Sequence, residues 1–103
     1  MRKKRNDRNY VLYRVNIGED MYIGLTVARG RAYYKSIKIR VNQHISRALN
    51  ESKDWTMCRS IRDAYESGAE ITYEMLDITR GRKNAFLLER NLIKKLKPTL
   101  NDF

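Results

Sequence analysis

Two short apolar runs lie close together near the start of the chain, YVLYRVNI at 10–17 and MYIGLT at 21–26. Their aromatic and β-branched content predicts two strands. Between them, Ile17-Gly18-Glu19-Asp20 offers a tight turn with glycine first, the arrangement preferred by a type II′ hairpin. A loop with Ala28-Arg29-Gly30-Arg31 follows. From Ala32 to Asn50 the period changes, and Tyr34, Ile37, Val41, Ile45 and Ala48 recur at helical spacing. Ser52 stands where a helix N-cap is preferred, ahead of Trp55, Cys58, Ile61 and Tyr65 on one face of a second helix. Gly68 is placed to end that helix. ITYEMLDI at 71–78 predicts a third strand, broken at Thr79-Arg80-Gly81. A third helix runs from Lys83 to Leu96 and stops before Pro98. The order is β-β-α-α-β-α. It implies an α+β fold with a small antiparallel three-stranded sheet flanked by helices, formed by one domain over 10–103 behind a basic arm at 1–9.

Glycine inside a strand costs packing and chain entropy, and often marks a close approach to the backbone. A two-residue turn at Gly18-Glu19 would set Tyr13 opposite Gly24 and Val15 opposite Tyr22, so that Tyr13, Tyr22 and Gly24 share one face. An odd-length turn would put the two tyrosines on opposite faces. The same pattern also describes two core tyrosines in ordinary packing.

On the third helix, Ala85, Phe86, Leu92, Ile93 and Leu96 gather into an apolar stripe, and Glu89 falls inside it. A carboxylate there requires a partner. Either it forms a salt bridge or reaches the rim of the stripe, or it is a ligand for Mg²⁺, a hard cation that takes carboxylate oxygen and keeps several waters. On the first helix, Arg40 and His44 are one turn apart and Arg47 continues the row along the border of the apolar face. Such a row is either a solvated face or a phosphate-binding edge, since the fixed donors of Arg suit phosphate and His moves protons near neutral pH.

Charge sharpens the second alternative. Lys and Arg number 22 against 12 Asp and Glu, a net charge of +10 in 103 residues. That excess points to a polyanionic partner, nucleic acid before membrane surface. No run of about 18 apolar residues exists to span a bilayer, and MRKKRNDR is not followed by a signal-peptide core. Cys58 is the single cysteine, which excludes a disulfide framework and a cysteine-based zinc site and fits a reducing, intracellular setting.

Taken together, these residues resemble the GIY-YIG nuclease family. Val11-Leu12-Tyr13 stands where the family has Gly-Ile-Tyr, and Tyr22-Ile23-Gly24 matches the second motif as written. Arg40 and His44 resemble the helix motif. Glu89, followed by Leu92-Ile93 and later by Pro98 and Asn101, resembles the family's catalytic Glu and its Asn. The resemblance runs from about Tyr10 to Asn101. It departs in the missing first glycine, in Leu25 where a lysine often follows the second motif, and in the long stretch from Gly24 to Arg40. Lys35 or Lys38 would have to supply the absent cation.

The resemblance implies metal-dependent hydrolysis of DNA phosphodiesters, one strand per site, by a monomer or by a homodimer on DNA. Glu89 would hold one Mg²⁺ or Mn²⁺, Arg40 would bind the scissile phosphate, Tyr13 or Tyr22 would act as general base, His44 would relay or orient, and Asn101 would contact the same centre. Binding would draw on the backbone at Gly24 and on Arg29, Arg31, Tyr33, Lys35, Lys38 and Arg47, with Tyr33 or Tyr34 available to stack on a base. The setting expected is the cytoplasm of a bacterial or phage-infected cell, with a phage or mobile element as carrier. Two other readings compete: a non-catalytic nucleic-acid-binding protein that keeps the fold, and the catalytic fragment of a larger nuclease. The start at Met1 and the compact end favour a whole protein over a fragment.

Overall fold

Gly18 adopts φ +59°, while Glu19 beside it keeps a negative φ. That combination belongs to a type II′ turn, whose twist matches that of the strands it joins. In the computed structural model, which describes residues 8–51 and 55–101, the turn links β1 (Asn9–Ile17) to β2 (Asp20–Val27). Ile17 pairs with Asp20, Val15 with Tyr22 and Tyr13 with Gly24. The even-length turn therefore sets the expected register. After β2 come α1 (Tyr33–Asn50), α2 (Thr56–Ser67), β3 (Ile71–Arg80) and α3 (Arg82–Leu96). β3 joins the free side of β1, giving an antiparallel sheet in the order β2-β1-β3. The fold is α+β with the element order β-β-α-α-β-α.

One face of the sheet carries Val11, Tyr13, Val15 and Ile17. α1 and α2 cover it with Ile37, Val41 and Ala48 from one helix and Met57, Cys58, Ile61 and Ala64 from the other. Leu12 and Ile23 point the other way by alternation and are fully buried, as is Ala85 of α3. α3 packs on all three strands and so closes that second face. The β1–β3 register shifts between Leu12 and Tyr13: Leu12 pairs with Asp77 but Tyr13 with Met75. This bulge gives Leu76 no opposite number. It lets Met75 and Ile78, three apart, both pack on the core while Asp77 stays exposed.

Helix ends follow local chemistry only in part. Gly68 takes φ +77°, and the amides of Gly68 and Ala69 both reach the carbonyl of Ala64. α2 begins at Thr56 with Trp55 as its cap residue, and Ser52 lies outside the described residues. Trp55 and Tyr65 do not line the inner face as expected; both are about half exposed, and Met57 and Ala64 flank Cys58 and Ile61 there instead. On α1, Tyr34 is 60% exposed, while Tyr33 packs on the core and the buried row includes His44. On α3 only Ala85 of the predicted stripe is buried; Phe86 is 47% exposed. The helix is rotated so that its longer apolar side chains lie at the rim. Of the arm expected at 1–9, residues 1–7 lie outside the described residues, while Asn9 already belongs to β1, paired with Arg80 of β3.

Beyond α3, Lys97 turns the chain in the left-handed region and Pro98 prevents the helix from continuing. The segment then runs along the outer edge of β2. Leu100 donates its amide to the carbonyl of Met21 at 3.0 Å. Asn101 takes both backbone groups of Ile23 through its side-chain amide, accepting at 2.9 Å and donating at 2.8 Å. An exposed strand edge is thereby covered.

Candidate active site

Gly24 and Tyr13 meet at the centre of the arrangement. A Cβ placed on Gly24 would lie 2.6 Å from the Tyr13 hydroxyl oxygen, 2.7 Å from Cζ of the same ring and 2.9 Å from Cε1 of Tyr22. The strand needs a bare backbone at Gly24 because two tyrosine rings occupy the space. Tyr13 is fully buried, and its hydroxyl lies 3.2 Å from Nε2 of His44. The ring has no room to yield. Gly24→Ala is therefore expected to destabilise the fold by roughly 1–3 kcal/mol, read as a lower urea midpoint; an unchanged midpoint would show that the rings move aside.

Electrostatics decide which protons sit where. Burial pushes the Tyr13 phenol above its ordinary value of 10, Tyr22 adds to the rise, Arg40 opposes it by charge and hydrogen bond, and the Glu89 carboxylate raises it further. Burial, then Arg40 and Arg47, depress His44 to about 4. At neutral pH both groups are uncharged and share one hydrogen bond, whose direction is set by the imidazole tautomer. The unfolded chain takes up a proton on His44 near pH 6.5, before the folded chain does. Stability due to the neutral imidazole is thus whole above pH 6.5 and falls as the pH drops from 6.5 towards 4. His44→Gln is expected to flatten the fall of the urea midpoint across that window; an equally steep fall in the variant would refute the assignment.

The ring of Tyr22 meets His44 edge-on, with centroids 5.6 Å apart and planes at 67°. Unlike Tyr13, Tyr22 is only half buried, and it lines a cleft of 380 Å³ together with His44, Arg47 and Asn101. Arg40 faces a second cleft, of 300 Å³, shared with Arg8 and Arg29 and containing no carboxylate among its lining residues. Ser36 braces its wall, donating to the carbonyl of Ala32 at 2.7 Å and accepting from the amide of Arg29 at 3.0 Å. Arg40 itself donates to Oε1 of Gln43 at 3.1 Å. Fixed guanidinium donors without acidic partners suit a phosphate.

Glu89 is half buried, and burial raises its pKa above the usual carboxylate value. Among the described residues it makes no hydrogen bond and no salt bridge, so the expected alternative of a buried ion pair is absent there. The ion pair on the sheet joins Arg14 to Glu74, neighbours on β1 and β3. Glu89 is close enough to Tyr13 for its charge to be felt at the phenol. Among the described residues no group of three His, Cys, Asp or Glu side chains is arranged to hold a metal ion. A cation beside Glu89 would rely on that one carboxylate, with water and phosphate oxygens completing its shell.

Of the residues expected to act together, Tyr13, Tyr22, Gly24, Arg40 and His44 come together; Glu89 lines a separate cleft with Phe86, Arg90, Ile93 and Lys94 and reaches that group through its charge at Tyr13. Arg29 and Arg47 line the two clefts on either side. Arg31, Lys35 and Lys38 are exposed and lie outside both clefts; Tyr33 is committed to the core, which leaves Tyr34 as the exposed aromatic at the helix start. Asn101 belongs to the cleft wall, but its amide is engaged in clamping β2 at the residue between Tyr22 and Gly24. Trp55 lines the Tyr22 cleft, a position hidden in the sequence by its helical spacing from Cys58. Arg8 appeared there only as part of a basic arm.

Comparison with protein-family models, with curated proteins and with solved structures found no match to this chain.

Proposed function

We propose that this chain is a metal-dependent endonuclease that hydrolyses DNA phosphodiesters, one strand per site, as its resemblance to the GIY-YIG nucleases implies. The observation that carries the reading is the grouping of Tyr13, Tyr22, Arg40 and His44 around one hydrogen bond, with a half-buried carboxylate, Glu89, whose charge reaches Tyr13 and which has no ion-pair partner among the described residues. Glu89 shares its cleft with Arg90 and Lys94 but forms an ion pair with neither, and a carboxylate held partly out of water is suited to receive a cation, so Glu89 fits as the protein ligand of Mg²⁺ or Mn²⁺. When bound, such an ion supplies charge neutralisation at the phosphate and the leaving oxygen.

The remaining roles belong to the chain's own groups. Arg40, with Arg8 and Arg29 behind it, binds the phosphate and stabilises the charge that grows on it. Tyr22, which lines the cleft with Arg47, takes the proton of the attacking water. Tyr13 stays protonated and holds His44 and Arg40 in place. Asn101 keeps the Tyr22 strand at a fixed height by clamping Ile23. No helix among the described residues is long and apolar enough to cross a membrane, and the net charge of +10 favours a polyanion as substrate.

The test is incubation with supercoiled plasmid and Mg²⁺ or Mn²⁺, with EDTA as control. Nicked circles that disappear with EDTA are expected. Metal-independent band shifts without nicking would overturn the nuclease reading and favour a nucleic-acid-binding protein that uses the arginine cleft alone.

A further inference from the structure

The cleft beside Tyr22 contains more than hydrolysis uses. Behind Tyr22 and His44 its wall is apolar, made by Met57, Cys58, Ile61 and Leu100, and Trp55 stands at its mouth with 51% of its surface exposed. Its 380 Å³ lies in the range of small-ligand sites, about 300–1,000 Å³. We propose that this cleft binds an unpaired nucleobase adjacent to the phosphate held by Arg40, stacked on Trp55, so that the preferred substrate carries a single-stranded or displaced nucleotide. The proposal rests on the nuclease reading for the position of the phosphate.

Several features favour a nucleobase over another apolar group. The cleft and the phosphate-binding edge lie along one row of α1, on which Arg40, His44 and Arg47 follow one another. Arg40 and Arg47 are seven residues apart, about 10 Å along the helix axis, enough to span a phosphate and the neighbouring nucleotide. Arg47, exposed at the cleft, adds a cation for the next phosphate or for a base edge. Asn101 spends one N–H and one lone pair on Ile23 and retains one of each, a donor and an acceptor at the wall. A flat aromatic body between apolar side chains, with polar groups at its edge and anions on either side, describes a nucleotide better than a lipid or a peptide. A base paired within a duplex cannot enter such a cleft without being flipped out, at a cost that an unpaired base avoids.

Trp55 is the single tryptophan of the chain, so its fluorescence reports on the mouth of this cleft alone. The full chain carrying Glu89→Gln, to prevent cleavage, is titrated with a short single-stranded oligodeoxynucleotide, with the same strand bearing abasic interior positions, and with the blunt duplex. Binding is followed in parallel by anisotropy of a label on the nucleic acid. Saturable quenching by the base-bearing strand is expected, with little from the abasic strand or the duplex even where anisotropy reports them bound. Trp55→Ala is expected to weaken the base-bearing strand roughly 5- to 100-fold and to leave the abasic strand unchanged, while Trp55→Phe restores most of the loss. Equal quenching by base-bearing and abasic strands, equal affinity of Trp55→Ala and its parent for both strands, or no binding of any strand would each overturn the pocket. Plasmid nicking by the wild-type chain is scored separately. Nicking without quenching removes the pocket alone, whereas quenching without nicking removes the nuclease reading and leaves the pocket standing.

Discussion

Glu89→Ala is expected to lower plasmid nicking by at least roughly 10³-fold, the loss of several kcal/mol of transition-state stabilisation. Its affinity for the same DNA should remain equal to that of the parent or rise slightly, because a negative charge leaves the site proposed to hold a polyanion. The fold should not suffer. Glu89 has no hydrogen-bond or ion-pair partner among the described residues, so truncation orphans nothing there, and it removes a carboxylate whose charged form burial already disfavours. The urea midpoint should therefore be unchanged or somewhat higher. This combination separates a site residue from a structural one: a residue held for stability would lower midpoint and activity together. Nicking at the wild-type rate would sink the assignment of Glu89, and with it the metal.

The second large effect distinguishes the two tyrosines. Tyr22→Phe is expected to lower single-turnover nicking by roughly 10²–10⁴-fold, the range of a positioned general base, with its effect on rate far larger than its effect on stability. Tyr13→Phe should do the reverse. Its hydroxyl is buried, pushed away from ionisation, and committed to Nε2 of His44. Removing it leaves a buried imidazole nitrogen without its hydrogen-bond partner and should cost about 1–3 kcal/mol of stability, with a smaller fall in rate that comes through displaced Arg40 and His44. The comparison is made from single-turnover rates with protein in excess and from urea midpoints of the same preparations. If Tyr13→Phe abolishes nicking while Tyr22→Phe retains it, the roles are exchanged and burial has been misjudged as protection from the chemistry.

Much of this arrangement is legible in the chain before it folds. The glycine-first turn at Gly18-Glu19 determines a register, and the register brings Tyr13 onto Gly24 and Tyr22 beside them. Those relations span few residues and follow from alternation along a hairpin. The row of Arg40, His44 and Arg47 is equally local, a matter of helical spacing. The failures cluster where an aromatic residue can serve either inside or outside. Tyr33 and Tyr34 are adjacent, and periodicity alone chose the wrong one for the core. Trp55 fits the apolar spacing of α2 yet precedes the first turn, where its ring looks into a cleft instead of the interior.

Other features have no local signal at all. The bulge that leaves Leu76 unpaired arises because β1 must pair with a strand some sixty residues away while keeping both Met75 and Ile78 on the core. The rotation of α3, which sets Glu89 at the rim near Tyr13, depends on how that helix is laid across all three strands. The clamp of Asn101 on Ile23 needs the chain end to run along β2. The amino-acid sequence by itself determined the element order and the hairpin register that sets Tyr13 on Gly24, because short-range periodicity and turn chemistry act within a few residues. Only the tertiary structure decided which groups are buried, which tyrosine meets solvent, and which charges have partners. Those properties belong to surfaces that exist once distant segments exclude water from one another.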